Sequence, residues 1–443
     1  MSENKFWNEE LETMPREELE KHQLEDLKEI VKFAYENAPY YKRSFDEAGI
    51  KPEDIHELSD IQKFPYIDKK TQRDTQGVGS FLGELCAVPE EDVIFISTSS
   101  GSTGVPTMSP FTRKDFDEFQ DTQSRWFWQV GMRPKDRYVH ALNFSLYVGG
   151  PDVIGAQNLG ALCIWGGTLP SERLLFVLKT YQPTIIWTSP SYAWYLGETA
   201  IKNGIDPKKD LSIKKIIVAG ELGGSIDSTR KAIEELWGAE VYDFYGLSDI
   251  FGACAAMCEA KDGLHIAENH ILVETVDIHT GEILKPGEVG ELVFTTLRKH
   301  ARPLIRFQTG DIGWIDNTPC SCGRTHGRIH INGRKDDMFI VSAVNVFPSD
   351  VEFVIRGLQG ITGEYVIRVF EKDYTCKYAV EIEKKADNPE TDEEISAKVS
   401  AALKARIGVK PYSVKVHPDG GLNTRSEHKS KRIIDERTKD FNI

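Results

Sequence analysis

The chain has 443 residues, 40% of them hydrophobic and 28% charged, a globular composition in a length that exceeds one hydrophobic core, so two or more domains are expected. The 54 Lys and Arg against 69 Asp and Glu leave a net charge of −15, which disfavours nonspecific binding to nucleic acid or to an anionic membrane but permits a local cationic pocket. No apolar run reaches membrane-spanning length, Met1–Lys5 holds no apolar signal core, and seven cysteines make an odd set; a cytoplasmic protein with reduced thiols is expected.

Residues 8 to about 37 place Leu11, Leu24, Leu27, Ile30, Val31 and Ala34 at helical spacing, a stripe suited to core packing. The apolar run Val93–Ile96 then enters Thr98-Ser99-Ser100-Gly101-Ser102-Thr103-Gly104-Val105-Pro106. Two glycines let successive amides curl into an anion-binding nest, and the hydroxyls add donors for phosphate oxygens; the lysine of a Walker loop is missing. On composition alone the cluster also reads as a surface turn.

From about 90 to 335, short apolar runs alternate with helical patterns: Tyr138–Leu142, Ala161–Trp165, Thr184–Trp187 and Lys215–Ala219. Each is soon followed by Gly, Pro or Ser, as buried parallel strands are, and this predicts an α/β body with ligands at strand ends. The C-terminal stretch reads as a small α+β lid joined near Arg334–Asp337. It has helices over Val351–Leu358 and Glu393–Ile407, strands over Tyr365–Phe370, Lys377–Glu383 and Tyr412–Val416, and a solvated acidic loop at Lys384–Asp392. The expected division is 1–335 and 336–443.

The hydroxyl loop resembles the phosphate-binding motif of the adenylate-forming superfamily of acyl-coenzyme A synthetases, luciferases and peptide-synthetase adenylation domains. Four further segments match that superfamily in the expected order: Tyr242–Asp249, Thr309-Gly310-Asp311, Gly333–Met338 and Arg425–Lys429. Ala34–Tyr41 and Val344–Ser349 are similar to phenylacetate–coenzyme A ligases, and the resemblance covers essentially the whole chain. It implies a large N-terminal α/β adenylate-forming domain and a small mobile C-terminal α+β lid. The reaction it implies has two halves. A carboxylate attacks the α-phosphorus of ATP to give an acyl-adenylate and pyrophosphate, and a thiol, that of coenzyme A, then displaces AMP.

On that resemblance Ser99, Ser100, Gly101, Ser102, Thr103 and Gly104 hold the β- and γ-phosphates. Tyr245 stacks near adenine with Asp243 and Gly246 in its motif, and Gly246 permits close approach. Glu221 joins the nucleotide site, Ser248 meets the α-phosphate region, and Asp249 stands where the family usually has a glutamate ligand for Mg²⁺. Asp311 accepts the ribose hydroxyls, with Arg334 beside it, and Asp336 is the hinge. Lys429 is the candidate to bridge the attacking carboxylate and the α-phosphate; Lys431 competes, and His428 replaces the usual preceding glycine. Phe144, Tyr147, Gly149 and Gly220 are expected at the acyl pocket. Ala343, where relatives carry glycine, and Asn345 are expected at the coenzyme A tunnel. Trp165, Trp187, Tyr192 and Trp194 belong to the core, wall an aryl pocket, or shrink it around a small acid.

Thiolates and imidazole together suit tetrahedral zinc, and Cys258, His265, Cys320 and Cys322, with His326 as alternate, form the candidate structural site; free buried cysteines are the competing reading. The leading function is an ATP-dependent acid–coenzyme A ligase for an aryl-acetic or arenecarboxylic acid. The alternatives are loading of a carrier-protein thiol, a coenzyme A ligase for a small aliphatic or hydroxy acid, and a catalytically silent nucleotide-binding subunit. The expected partners are the small-molecule acid, ATP and coenzyme A, with no nucleic acid or membrane; a homodimer stays open.

Overall fold

The computed structural model describes residues 4–99, 106–142, 149–167, 169–341, 344–372, 375–422 and 432–437. The chain divides into two compact units, the first comprising Met1–Pro170, Pro183–Trp187 and Tyr242–Ile331, the second Ser171–Gln182, Thr188–Val241 and Asn332–Ile443.

In the first unit the helix Arg16–Asn37 buries Leu27, Ile30, Val31 and Ala34 of the expected stripe, and Leu19 besides; Leu11 and Leu24 are half-buried. It stops at Ala38 because a residue before proline is pushed out of the helical region, and Pro39 then opens the helix Pro39–Ala48. Tyr41 in that helix is buried, donates to Pro303 O at 2.9 Å and accepts from Ile305 N at 2.9 Å, so the N-terminal arm is fastened to the segment 303–305.

The strand Arg137–His140 runs parallel to Leu162–Trp165 and to Ile185–Thr188, as predicted and within two residues of the expected bounds. Beyond Glu240 the expected alternation with helices fails. Glu240–Leu247, Phe251–Met257, Leu264–Ile266 and Arg328–Arg334 pair antiparallel in turn, and so do Ile271–Val276, Gly290–Thr296 and Phe307–Asp316, with no helix among the described residues of that stretch. The reason is burial on both faces: every residue of Phe251–Met257 and of Gly290–Thr296 is buried, so neither strand shows the alternation of apolar and polar residues that marks an antiparallel strand, and Phe251–Met257 reads as the unbroken apolar run usual for a parallel one.

The second unit contains the predicted α+β lid. Its sheet has the order Ser413–His417, Thr375–Lys384, Ile361–Lys372, Ile433–Asp435, with an antiparallel centre and parallel flanks. The helices Pro348–Gly357 and Asp392–Ile407 pack on it through Val351, Ile355, Ile367, Tyr378, Val380 and Leu403. A capping box between Thr391 and Glu394 starts the second helix, and Gly408 at φ 91° ends it. The same unit holds the helices Ser171–Tyr181, Pro190–Lys202 and Asp227–Trp237 and the strand Lys215–Ala219. Among the described residues no helix is long and apolar enough to cross a membrane.

Candidate active site

The strands Val93–Thr98 and Met108–Thr112 form a hairpin with Ser97 opposite Ser109. The chain leaves and re-enters it at one pinch, where Ser99 N–H donates to Thr107 O at 3.0 Å and Thr107 N–H donates to Ser99 Oγ at 3.2 Å. Gln76 clamps the return, accepting from Met108 N at 2.7 Å and donating to Pro106 O at 3.1 Å. Ser99 therefore stands at the base of the expected phosphate loop; Ser100, Gly101, Ser102, Thr103 and Gly104 lie outside the described residues.

The strand Glu240–Leu247 carries the second motif, and its register with Phe251–Met257 shifts on both sides of Gly246. A Cβ on Gly246 would sit 1.8 Å from Gly252 O, so the fold itself requires glycine there. Beyond that strand come Ser248 and Asp249, and three hydroxyls of the hairpin reach them. Ser97 Oγ donates to Ser248 O at 3.1 Å, Ser109 Oγ to Asp249 O at 3.0 Å, and Thr107 Oγ1 to Asp249 Oδ1 at 3.0 Å. Thr107 Oγ1 also lies 2.9 Å from Ser99 Oγ, which links the loop base to the carboxylate through a single side chain.

Asp249 is only 2% exposed, and its Oδ2 is 3.6 Å from Lys69 Nζ. A buried carboxylate is costly unless hydrogen-bonded and paired, and Thr107 and Lys69 provide the two. Lys299, buried beneath the turn, donates to Asp249 O at 3.0 Å, Ile250 O at 2.6 Å and Ser109 Oγ. Burial pulls its pKa down to about 7, Arg302 acts in the same sense, and Asp115 and Asp249 oppose them.

Tyr245 and Asp311, expected at adenine and ribose, are brought together: the phenol donates to Asp311 Oδ2 at 2.6 Å across 66 residues of sequence. Asp311 is set by its own motif, its N–H donating to Thr309 Oγ1 at 2.9 Å while that hydroxyl donates to Leu292 O at 2.7 Å. Asp243 is buried in the same unit. Gly149 O accepts from Nε2 of the buried His140 at 2.9 Å, and Tyr138 OH lies 2.5 Å from the other ring nitrogen. Burial drives the His140 pKa down to about 3.

Other expected residues belong to the second unit. Glu221 accepts from Ser191 N at 2.8 Å and from the Ser191 hydroxyl at the start of the helix Pro190–Lys202, and Gly220 beside it has φ +88°. Arg334 pairs with the exposed Asp336 at 3.5 Å. Asn345 lies opposite Ile340 in the hairpin of Phe339–Val341 with Val344–Val346. Phe144, Tyr147, Ala343, Lys429 and Lys431 lie outside the described residues. Of the four aromatics, Trp187 is buried in the core between Phe127, His140 and Phe244 and Trp165 is 54% exposed, both in the first unit, while Tyr192 and Trp194 lie in the second.

The cysteine–histidine cluster forms as expected. One ligand atom from each of Cys258, His265, Cys320 and Cys322 lies within 4.8 Å of every other, and all four residues are buried. Cys258 Sγ and Cys320 Sγ are 3.7 Å apart, far beyond a disulfide bond and close to the ~3.8 Å edge of a tetrahedron with zinc–sulfur bonds of about 2.3 Å. His265 Nδ1–H donates to His326 O at 2.9 Å, which leaves Nε2, 3.2 Å from Cys322 Sγ, to face the thiols. Cys258 and Cys322 compete for one proton, which drives the Cys322 pKa down and that of Cys258 up. Burial opposes charge on His265, yet Cys320 and Cys322 push its pKa up to about 9. His326 is not an alternate ligand, because its ring nitrogens face Ile266 O and Leu11 O, both at 3.0 Å.

Sequence reasoning missed Ser97, Thr107, Ser109, Lys69 and Lys299. The hydroxyls carried a readable signal, since Ser97, Ser99, Thr107 and Ser109 alternate as one face of a hairpin must. The lysines had none, each lying in an ordinary charged stretch.

Residues 14–297 match the AMP-binding enzyme family, and residues 343–437 match the AMP-binding enzyme C-terminal domain. The chain is 35% identical to the phenylacetate-coenzyme A ligase of Thermus thermophilus, over 97% of this chain and 99% of that one, and 35% identical to the Escherichia coli enzyme of that name, over 96% and 97%. Among solved structures it is similar to a 2-hydroxyisobutyryl-CoA ligase in the postadenylation state, with 28% identity, a TM-score of 0.92, and coverage of 98% of this chain and 93% of that one. An anthranilate CoA ligase, at 19% identity and a TM-score of 0.58, shares the fold. With its motifs in order and relatives matched almost end to end, the chain belongs to the AMP-binding, adenylate-forming enzymes, in the family of the phenylacetate–coenzyme A ligases.

Proposed function

We propose that the acid activated by this AMP-forming acid–coenzyme A ligase is aryl-acetic or arenecarboxylic, of the phenylacetate type. The reading of the reaction rests on one observation above others, the Ser99–Thr107–Asp249 link that joins the base of the phosphate loop to the carboxylate of the second motif. The substrate class rests on the near full-length likeness to phenylacetate ligases.

In the first half-reaction the amides and hydroxyls of 99–104 hold the β- and γ-phosphates, and Tyr245 and Asp311 fix the nucleoside. Asp249 fits a hard cation: it is a carboxylate in oxygen-rich surroundings, with lone pairs left after Thr107 and Lys69. Mg²⁺ bound there would offset phosphate charge. Lys429 bridges the attacking carboxylate and the α-phosphate, where a movable point cation stabilises charge that develops in the transition state. Between half-reactions the C-terminal domain, 336–443, turns about Asp336 and brings Ala343 and Asn345 to the thiol tunnel. Phe144, Tyr147, Gly149 and Gly220 shape the acyl pocket.

Zn²⁺ suits the second cluster in a structural role, since four protein ligands leave no open position. A second reading of the substrate, a small 2-hydroxy acid, is favoured by the likeness to the 2-hydroxyisobutyryl-CoA ligase.

A pyrophosphate-release screen over aryl-acetic, arenecarboxylic, aliphatic and 2-hydroxy acids tests the proposal, followed by thioester assays with coenzyme A and with holo-carrier protein. Aryl acids should turn over fastest with coenzyme A as acceptor; a preference for hydroxy acids or for the carrier protein overturns it. Lys429→Ala should abolish pyrophosphate release yet transfer a supplied acyl-adenylate to coenzyme A; if Lys431→Ala is the inactive variant instead, the role moves two residues along.

A further inference from the structure

The segment between the strands Gly290–Thr296 and Phe307–Asp316 sends two buried cations under the site. Arg302 donates to Met108 O and Gln72 Oε1, and so grips one strand of the hairpin and the helix Lys69–Thr75. Lys299 faces three acceptors, Asp249 O, Ile250 O and Ser109 Oγ, while the Phe111 ring lies 4.1 Å from its Nζ. In its protonated form the side chain has three N–H donors, and each finds a partner here. Ser109 Oγ sends its own proton to Asp249 O, so that carbonyl receives two donors.

An apolar side chain of similar length would fill this space without the cost of burying a charge. What lysine adds is a triple donor that fixes two successive carbonyls of the turn against the hairpin. The Asp249 backbone is thereby held from below while Thr107 and Lys69 hold its carboxylate.

We infer that Lys299 is a positioning residue for adenylate formation, fixing the Asp249 main chain so that its carboxylate meets the metal–ATP complex. The inference rests on Asp249 being the cation-binding carboxylate. Lys299 serves the first half-reaction only, because transfer from a finished adenylate to coenzyme A involves no metal–ATP complex.

The test uses the full chain carrying Lys299→Met, Ser109→Ala or Asp249→Asn. Three quantities are read: calorimetric affinity for Mn²⁺–ATP without acid, the Mg²⁺ concentration for half-maximal pyrophosphate release, and thioester formation from a supplied acyl-adenylate. Loss of a charge-assisted hold should weaken Mn²⁺–ATP binding and raise the Mg²⁺ requirement by about tenfold in Lys299→Met and about threefold in Ser109→Ala, with thioester formation within about twofold of wild type. Unchanged metal–ATP binding in both variants, or equal loss of both half-reactions, overturns the inference. Should Lys299→Met fail to fold, Ser109→Ala decides on the same criteria. Asp249→Asn with wild-type metal–ATP affinity overturns it by a different route, because the carboxylate reading beneath it has then failed.

Discussion

Gly246 has a Cβ position 1.8 Å from the carbonyl oxygen of Gly252, which is backbone and cannot swing aside. The motif made this glycine legible as a place of close approach, but not that the approaching group is the neighbouring strand. That depends on a register shift at Gly246, and register is a property of the pair of strands. Thr107 was illegible for a similar reason: its hydroxyl matters only because the loop closes at Ser99 and the turn at Asp249 arrives beside it. Gly246→Ala should cost about 1–3 kcal/mol, as overpacking against an unyielding neighbour does, and should slow pyrophosphate release by disturbing the adjacent Tyr245–Asp311 contact. Thermal melting and the pyrophosphate assay check this together; a variant with wild-type melting and rate would contradict the tight bulge.

Among the elements, the knuckle at 320–326 organises more of the fold than its four ligands suggest. Arg324 within it donates to Glu12 Oε2 at 2.7 Å, a pair buried on both sides, and Thr325 N–H donates to Glu12 O at 3.1 Å, so the knuckle fastens the short helix Glu9–Glu12. The ligand set was readable from residue type and spacing. The exclusion of His326 was not, because it follows from ring contacts to Ile266 and Leu11 that arise only after folding. The misread strands after Glu240 belong here too, since burial on both faces removes the alternation that marks an antiparallel strand. Elemental analysis of untagged protein should find about one zinc per chain, and Cys320→Ser should lose it and melt several degrees lower. Metal-free wild type with an unchanged melting curve for the variant would return these cysteines to ordinary packing.

At the scale of the molecule, buried histidines set the response to acid. His140 and His270 are held neutral by burial, their pKa values lowered to about 3 and well below the ordinary range respectively, and Arg125 adds to the effect at His270. Below about pH 6.5 the unfolded chain protonates both while the folded chain protonates neither, so the unfolded state binds more protons and stability falls as pH falls. Once the unfolded histidines are protonated the loss is about 1.4 kcal/mol per pH unit for each, so about 2.8 kcal/mol per pH unit for the pair between roughly pH 6 and 4. His300, raised by Asp115, changes stability only above that range and in the opposite sense. Urea unfolding at a series of pH values should show this slope, to which the buried His326, its pKa lowered to about 4, adds, and His140→Gln should reduce it by about 1.4 kcal/mol per pH unit; a flat or inverted profile contradicts the neutral buried pair.

The two-part organisation and the reaction were legible at this scale, since motifs spread over more than three hundred residues constrain a family better than any one of them. The substrate was not, because the identity of an acid lies in the shape of a pocket and no short motif encodes it. The most direct measurement of the central claim is product analysis by mass spectrometry after incubation with an aryl-acetic acid, ATP, Mg²⁺ and coenzyme A. AMP, pyrophosphate and the aryl-acyl thioester should appear in equal amounts, and the acyl-adenylate should accumulate on the enzyme when coenzyme A is left out. Formation of ADP and phosphate, or consumption of ATP with no adenylate and no thioester, would contradict the account.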